Sequence, residues 1–245
     1  MQKNAIIVIS GGLDSSTVAY YVKKKLNYSN LEFLFFDYGQ RTLKQEEFCV
    51  NQIAKQLKAK VKTINLRWLG EISPALLNKI DAKIPKTTKK DLGNIEKEKE
   101  KIRKWWVPCR NSLFTFAALA HAESYYLRKK KRYDIFMGIR EEGRVPMKDC
   151  TPTFLKIINL AANQSTLDEG YKILAPLMKM DKEDVVNLGN KLKIDWRNTY
   201  SCYNGGEFKG KVPVHCGYCA NCMLRKMAFY WSNKKDTSIY EKITN

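Results

Sequence analysis

Two groups of residues in this sequence have the types and spacing to do chemistry: a glycine- and hydroxyl-rich run near the start, and four cysteines near the end. The run is Ile9-Ser10-Gly11-Gly12-Leu13-Asp14-Ser15-Ser16-Thr17. The apolar residues Ala5–Ile9 before and into it read as a buried parallel strand, and Val18–Val22 after it as the apolar face of a helix. A strand, a Gly-Gly turn and a hydroxyl-rich helix start make an anion cradle. Glycines let the backbone approach a ligand, and the free N–H groups of the first helical turn face it. Ser10, Ser15, Ser16 and Thr17 add donors. No Gly-Lys-Ser/Thr follows, as a Walker loop requires, and the G-x-G-x-x-G of dinucleotide-binding folds is absent.

The second group is Cys216-x-x-Cys219-x-x-Cys222, three thiols within seven residues, with Cys202 able to join them across a glycine-rich loop. Four thiolates satisfy a closed tetrahedral Zn²⁺ site. An iron–sulfur cluster is the alternative occupant, and His215 is an alternative ligand. A redox role suits the triplet less well. A structural zinc is expected to lock Ser201–Arg225 to the core and to supply most of that segment's folding free energy.

A chain of 245 residues is one large domain or a domain with an appendage, and 44% hydrophobic residues suffice for a sizeable core. No apolar run reaches the ~20 residues that span a bilayer. The first strand begins at once, so no signal peptide is expected, and a cytoplasmic location follows. Seven cysteines in that compartment point to metal or free thiols rather than disulfides. A net charge of +19 points to polyanions. The lysines are scattered and no RNA-binding module motif appears, so direct nucleic-acid binding is not favoured.

The remaining chain must position these groups. Leu31–Phe36 reads as a second strand ending in Asp37-Tyr38-Gly39-Gln40-Arg41. Strand, helix, strand at this spacing forces a right-handed crossover and a parallel sheet, which places Asp37, Tyr38 and Gln40 at the carboxyl edge beside Ser10–Thr17. A helix over Glu46–Leu57, a strand over Val61–Leu66 and a short helix near Ile72–Leu77 follow. Residues 83–104, dense in lysine and glutamate, read as a mobile loop or lid over the site. A helix is expected over Ser112–Tyr126, with Arg110 and Asn111 at its start and the basic turn Arg128–Arg132 at its end. Asp134–Ile139 is a buried strand with Gly138 at its carboxyl end, and Arg140–Cys150 is the loop beyond it. Helices over 152–162 and Asp181–Leu192 flank a short extended run at Lys172–Leu177. The fold class is α/β: a Rossmann-like parallel sheet flanked by helices, with a C-terminal four-cysteine segment.

The Ser10–Thr17 run resembles the SGGxDS loop of the ATP pyrophosphatases, the PP-loop enzymes of adenine nucleotide α-hydrolase-like fold. That resemblance implies cleavage of ATP between its α and β phosphates, with an adenylate forming on the substrate. Further segments extend the match in family order over nearly the whole chain. They are Phe36-Asp37-Tyr38-Gly39-Gln40-Arg41, Val107-Pro108-x-Arg110-Asn111, Ala175-Pro176-Leu177 with Lys182, and Ser201-Cys202-Tyr203 followed by Cys216-Gly217-x-Cys219-x-x-Cys222. Together they resemble the QueC family, the 7-cyano-7-deazaguanine (preQ0) synthases. The resemblance implies an ATP-binding domain over 1–200 and a zinc-binding segment with a C-terminal helix over 201–245. It implies that ATP adenylates 7-carboxy-7-deazaguanine, that ammonia displaces AMP to give an amide, and that a second adenylation leaves a nitrile. Asp14, Ser15, Lys182 and Arg110 would carry the chemistry. Ile9 to Thr17 (Ile9, Ser10, Gly11, Gly12, Leu13, Asp14, Ser15, Ser16, Thr17), Asp37, Tyr38, Gln40, Asn111 and Gly138 would hold the nucleotide. Mg²⁺ would bridge the phosphates, Cys202, Cys216, Cys219 and Cys222 would bind Zn²⁺, and the assembly would be a homodimer.

The loop after Gly138 departs from the family pattern. Where the family has Asn, Asp and two aromatics, this chain has Arg140, Gly143, Arg144 and Met147, and only Asp149-Cys150 survives. The family recognises its deazapurine there, and two arginines suggest a more anionic or larger partner. The gap from Cys202 to Cys216 is lengthened by Gly205–Lys211. One alternative is therefore a QueC-like enzyme, as in anti-phage defence, that passes the acyl group to an acceptor protein's amine. Another is a tRNA-modifying PP-loop sulfurtransferase, with Cys49, Cys109 and Cys150 as its candidate thiols.

Overall fold

The computed structural model of the protein describes residues 3–91 and 94–241. Positions 92–93 of the expected loop and 242–245 of the C-terminal segment lie outside the described residues.

The chain opens with β1 (Asn4–Val8), α1 (Leu13–Lys24), β2 (Asn30–Asp37), α2 (Leu43–Leu57), β3 (Lys60–Asn65) and a short α3 (Arg67–Ile72). It continues through α4 (Ile95–Trp105), α5 (Arg110–Lys129), β4 (Asp134–Met137), α6 (Pro152–Ser165), β5 (Ile173–Leu174) and α7 (Lys182–Lys191). The last part carries β6 (Phe208–Lys209), β7 (Val212–His215), α8 (Ala220–Trp231) and β8 (Ile239–Tyr240). The first five strands form one sheet in the order β3-β2-β1-β4-β5, with every neighbouring pair parallel.

Successive strand residues point to opposite faces, and both faces of this sheet are apolar. Ile6, Leu34, Phe36, Ile135 and Met137 pack with Phe114 and Ala118 of α5 and Ile158 of α6. Ala5, Ile7, Phe33, Phe35 and Phe136 pack on the other side with Val18 and Val22 of α1, Ile53 of α2 and Val185 of α7. Two covered faces explain why the strands read as continuous apolar runs rather than alternating ones. The strand order reverses between β1 and β4, and ligands bind outside the carboxyl ends of the strands at such a point. The register pairs Val8 with both Leu34 and Met137, so the chain leaves the sheet side by side at Ile9 and at Gly138.

A glycine is required at that crossing. A Cβ on Gly138 would lie 2.7 Å from Ser15 Cα and 2.8 Å from Ser15 N. The loop's own Gly11 takes φ +72°, and a Cβ there would meet Cys49 Cβ and the Glu46 carbonyl at 2.9 Å.

Three expectations are corrected. The polar segment 83–104 is not a loop throughout, because α4 occupies Ile95–Trp105. Asn94 caps it by accepting from Lys97 N–H, glutamates sit in its first turn, and Arg103 and Lys104 sit in its last. That distribution complements the helix dipole. Lys99–Glu96 (2.9 Å) and Lys104–Glu100 (2.5 Å) pair along its surface, and Trp105 anchors its end in the core. In place of a helix near Ile72–Leu77 the structure has α3 and a single 3₁₀ turn at Leu76–Asn78. The helix after Pro108 also starts two residues early, so Arg110 and Asn111 lie within its first turn.

Gly138→Ala is expected to lower stability by about 1–3 kcal/mol, the usual cost of overpacking a site with no room to give. Urea unfolding of the two proteins checks this, and equal midpoints would contradict the backbone contact.

Candidate active site

The Ser10–Ser15 turn is built for an anion. Gly12 is the N-cap of α1 and offers no side-chain cap, so the N–H groups of the first turn are left to face a ligand. Ser10 and Ser15 brace the turn: Ser10 N–H donates to Ser15 Oγ at 3.2 Å, and the two hydroxyls lie 3.2 Å apart. Ser16 and Thr17 point away. Both are fully buried; Thr17 donates to the Leu13 carbonyl, and Ser16 Oγ has no partner among the described residues. From the other side of the turn, Tyr200 N–H donates to the Gly11 carbonyl at 2.8 Å.

Above this turn lies a cleft of about 260 Å³, bordered by Ile9, Ser10, Gly12, Leu13, Asp14 and Ser15 of the expected set. Tyr38, Arg110, Asn111, Gly138 and Lys182 also border it, so residues far apart in the chain converge on one place. Phe36 and Phe114, stacked at 4.1 Å, form an apolar wall suited to a base. Gly11, Ser16, Thr17, Asp37 and Gln40 do not border the cleft. Asp37 pairs with Arg67 at 2.7 Å and accepts from Gly39 N–H. Gln40 bonds Tyr38 N–H, the Phe36 carbonyl and Glu46. These two side chains brace the turn after β2.

Four charged groups form a ring at the cleft's edge. Arg140 Nε is 3.3 Å from Asp14 Oδ1, and its Nη2 is 2.5 Å from Glu142 Oε1. Lys182 Nζ is 3.5 Å from Asp14 Oδ2 and 3.4 Å from Glu142 Oε1. The Arg140 and Lys182 side chains are 4% and 11% exposed, so these cations depend on their anions. Arg140 was expected only as one of two loop arginines suited to a more anionic partner, and Glu142 was not expected; charged loop residues ordinarily read as solvated, and the contact with α1 and α7 buries Arg140 while leaving Glu142 partly exposed. Glu46 was also missed. Burial pushes its carboxyl up to about 7 against the hydrogen bonds from Thr42 and Gln40 and the charge of Arg110. It borders the cleft and can exchange a proton near neutral pH. Burial likewise raises Asp149, although Arg110 opposes it.

A second, larger cavity of about 530 Å³ adjoins the cleft and shares Arg140, Glu142, Cys150, Lys182, Tyr203 and Asn221 with it. Its walls come from α4 and the 140–150 loop, joined where Arg144 N–H donates to Glu98 at 3.2 Å. Trp105 packs on Tyr203 at 4.3 Å and ties α4 to the cysteine segment.

The four cysteines come together. The sulfurs of Cys202, Cys216, Cys219 and Cys222 all lie within 4.8 Å of one another, and all four residues are buried. Cys216 Sγ and Cys222 Sγ are 3.9 Å apart, against about 3.8 Å for two thiolates on one tetrahedral zinc with Zn–S near 2.3 Å. Backbone N–H groups of Asn204, Cys216, Cys219, Cys222 and Tyr203 donate to the sulfurs, as thiolates need. Hydrogen bonds from Cys216 and its neighbours hold the Cys202 thiol well down, while bonds with Cys202 push Cys219 and Cys222 up. Four such thiols ionise together only around a cation. A set this close fits a single ion such as zinc and leaves little room for a multi-iron cluster's own sulfides. His215 is no ligand: its Nε2 accepts from Ser201 N–H at 3.1 Å, and burial, then the Arg225 charge, lower its pKa to about 3. Arg225, wholly buried, binds Asp236 through Nε (2.9 Å) and Nη2 (3.3 Å) and donates to Ser201 Oγ.

A family profile described as queuosine biosynthesis protein QueC matches residues 4–233. A curated 7-cyano-7-deazaguanine synthase from Methanosphaera stadtmanae is 36% identical over 242 residues, covering 99% of this chain and 100% of that one. The enzyme of that name from Pyrococcus abyssi is 31% identical over 97% of each chain. Among solved structures, a 4-thiouridine synthetase–RNA complex with bound ATP covers 94% of this chain and 50% of that one at TM-score 0.47 and 15% identity. A likeness that distant carries no argument here.

Metal analysis is expected to find about one zinc per chain, and Cys219→Ser to lose it together with cooperative thermal unfolding of the C-terminal segment. Iron in place of zinc, or an unchanged melting curve in the variant, would contradict a structural zinc.

Proposed function

The chain belongs to the queuosine biosynthesis protein QueC family, and on that premise we propose that it converts 7-carboxy-7-deazaguanine to 7-cyano-7-deazaguanine with ATP and ammonia. The observation that carries this reading is the meeting of an anion cradle, a buried Arg140–Lys182 cation pair and a larger cavity at one sheet edge.

A carboxylate is a poor electrophile and an acyl adenylate a good one. The acid's oxygen attacks the α-phosphorus of ATP, and pyrophosphate leaves. Ammonia then attacks the acyl carbon, AMP leaves, and a proton is lost to give the amide. The amide oxygen attacks a second ATP, pyrophosphate leaves again, and loss of AMP and both amide protons gives the nitrile. Charge develops on the departing pyrophosphate, so donors fixed in advance contribute most there. The N–H groups of the first turn of α1, with Ser10 and Ser15, border the cleft where that charge would develop, which supports the role. Arg110 and Asn111, in the first turn of α5, contact phosphate or base from the opposite wall. Phosphate-bound Mg²⁺ would find Asp14 at the cleft.

Two of the three candidate thiols weigh against sulfur transfer. Burial raises the thiols of Cys49 and Cys150 to about 12, which keeps them protonated and unreactive at neutral pH.

Incubation with 7-carboxy-7-deazaguanine, ATP, Mg²⁺ and ammonia is expected to yield the nitrile and AMP by mass spectrometry. Asp14→Ala and Ser15→Ala are each expected to cut AMP formation by about 100-fold or more. No AMP from the acid with the zinc-loaded protein, or full activity in both variants, would sink the proposal.

A further inference from the structure

The charged ring at the border of the two cavities carries an assignment beyond the overall reaction. Arg140 is buried, and a guanidinium stays protonated at any working pH. It divides its contacts between two carboxylates, Nε donating to Asp14 and Nη2 in ion-pair contact with Glu142, where one carboxylate could engage both nitrogens in a bidentate fork. Its Nη1 faces the carbonyls of Glu141 and Met180 at 3.4 and 3.5 Å, which fixes the head group just beyond β4. Lys182 is fixed in the first turn of α7, behind a capping box formed by Asp181 and Asp184. Asp14 is fixed in the first turn of α1.

Glu142 differs from the other three. It lies in the irregular stretch after β4, its side chain is 37% exposed, and it faces both cavities. It is therefore the member of the ring that can withdraw without disturbing a helix or strand. Its carboxylate occupies the border between the phosphate cleft and the larger cavity. An acid whose ring fills the larger cavity and whose carboxylate must reach a phosphorus over the Ser10–Ser15 turn has to place that carboxylate at the same border.

We propose that Arg140 and Lys182 form the subsite for the substrate's carboxylate, and that Glu142 occupies this subsite as an internal counter-anion until an acid displaces it. The proposal rests on the functional reading above and adds a specificity determinant to it. Planar carboxylates gain both cations on entry. Neutral groups gain neither, so Glu142 returns to its partners once the carboxylate has become an uncharged amide, and stays there for the nitrile.

Calorimetric titration of the full-length, zinc-loaded protein with 7-carboxy-7-deazaguanine and with its 7-carboxamide tests this. Glu142→Gln removes the competing charge and is expected to tighten acid binding by about fivefold, leaving the carboxamide within about twofold. Arg140→Met is expected to weaken acid binding by about tenfold or more, again sparing the carboxamide. If Arg140→Met fails to fold, Glu142→Gln decides alone. Acid affinity unchanged by Glu142→Gln, or an equal change for acid and carboxamide, would overturn the proposal while leaving the functional reading intact. Wild-type protein that binds neither compound would overturn both.

Discussion

The backbones of Gly138 and Ser15 meet where the strand order reverses, and the rest of the site depends on that contact. A side chain at 138 would drive the end of β4 away from the start of α1. The absence of one brings the loop after β4 under the N–H groups of the first turn of α1. Arg140, two residues on, then reaches Asp14, and Lys182 reaches the same carboxylate from α7. A turn of free N–H groups and a buried cation pair beside it thus arise from one close approach of two main chains.

The cysteine segment completes the cleft rather than standing apart from it. Tyr200 bonds the Gly11 carbonyl, and Cys202 and Tyr203 border the cleft, so the residues beside the first thiol of the cluster form part of the wall. The buried Arg225–Asp236 pair holds this wall, and a metal at the four clustered thiols would constrain it further. Burial pushes the Asp236 carboxyl up, yet Arg225 prevails and brings it down to about 2. That carboxylate's contribution is complete above the ordinary aspartate range and is lost only as the pH falls through about 2. From the same segment Tyr203 packs on Trp105, which fixes α4 as the roof of the larger cavity.

Much of this was readable from residue order alone. Apolar runs covered on both faces, the Gly-Gly turn and the cysteine spacing each follow from local chemistry, and they located the sheet, the turn at the head of α1 and the cluster of four thiols. The helix α4 escaped because it lacks an apolar stripe; its signals were the cap at Asn94, glutamates first and basic residues last, and Glu–Lys pairs one turn apart. The pairings of Arg140, Glu142 and Arg225 escaped for a different reason. Nothing local shows which charged residues will meet, since the elements that bring partners to these three come from distant parts of the chain. Asp37 and Gln40 sit at the expected sheet edge, but their side chains turn back to brace the backbone.

The central claim is that this sheet edge brings a carboxylate to the α-phosphorus of ATP. The most direct measurement is the fate of oxygen-18 placed in the carboxylate of 7-carboxy-7-deazaguanine. Mass spectrometry after turnover should find the label in AMP, because the acid's oxygen becomes a phosphate oxygen when the adenylate breaks. Label in inorganic phosphate with release of ADP, or AMP free of label, would contradict the account.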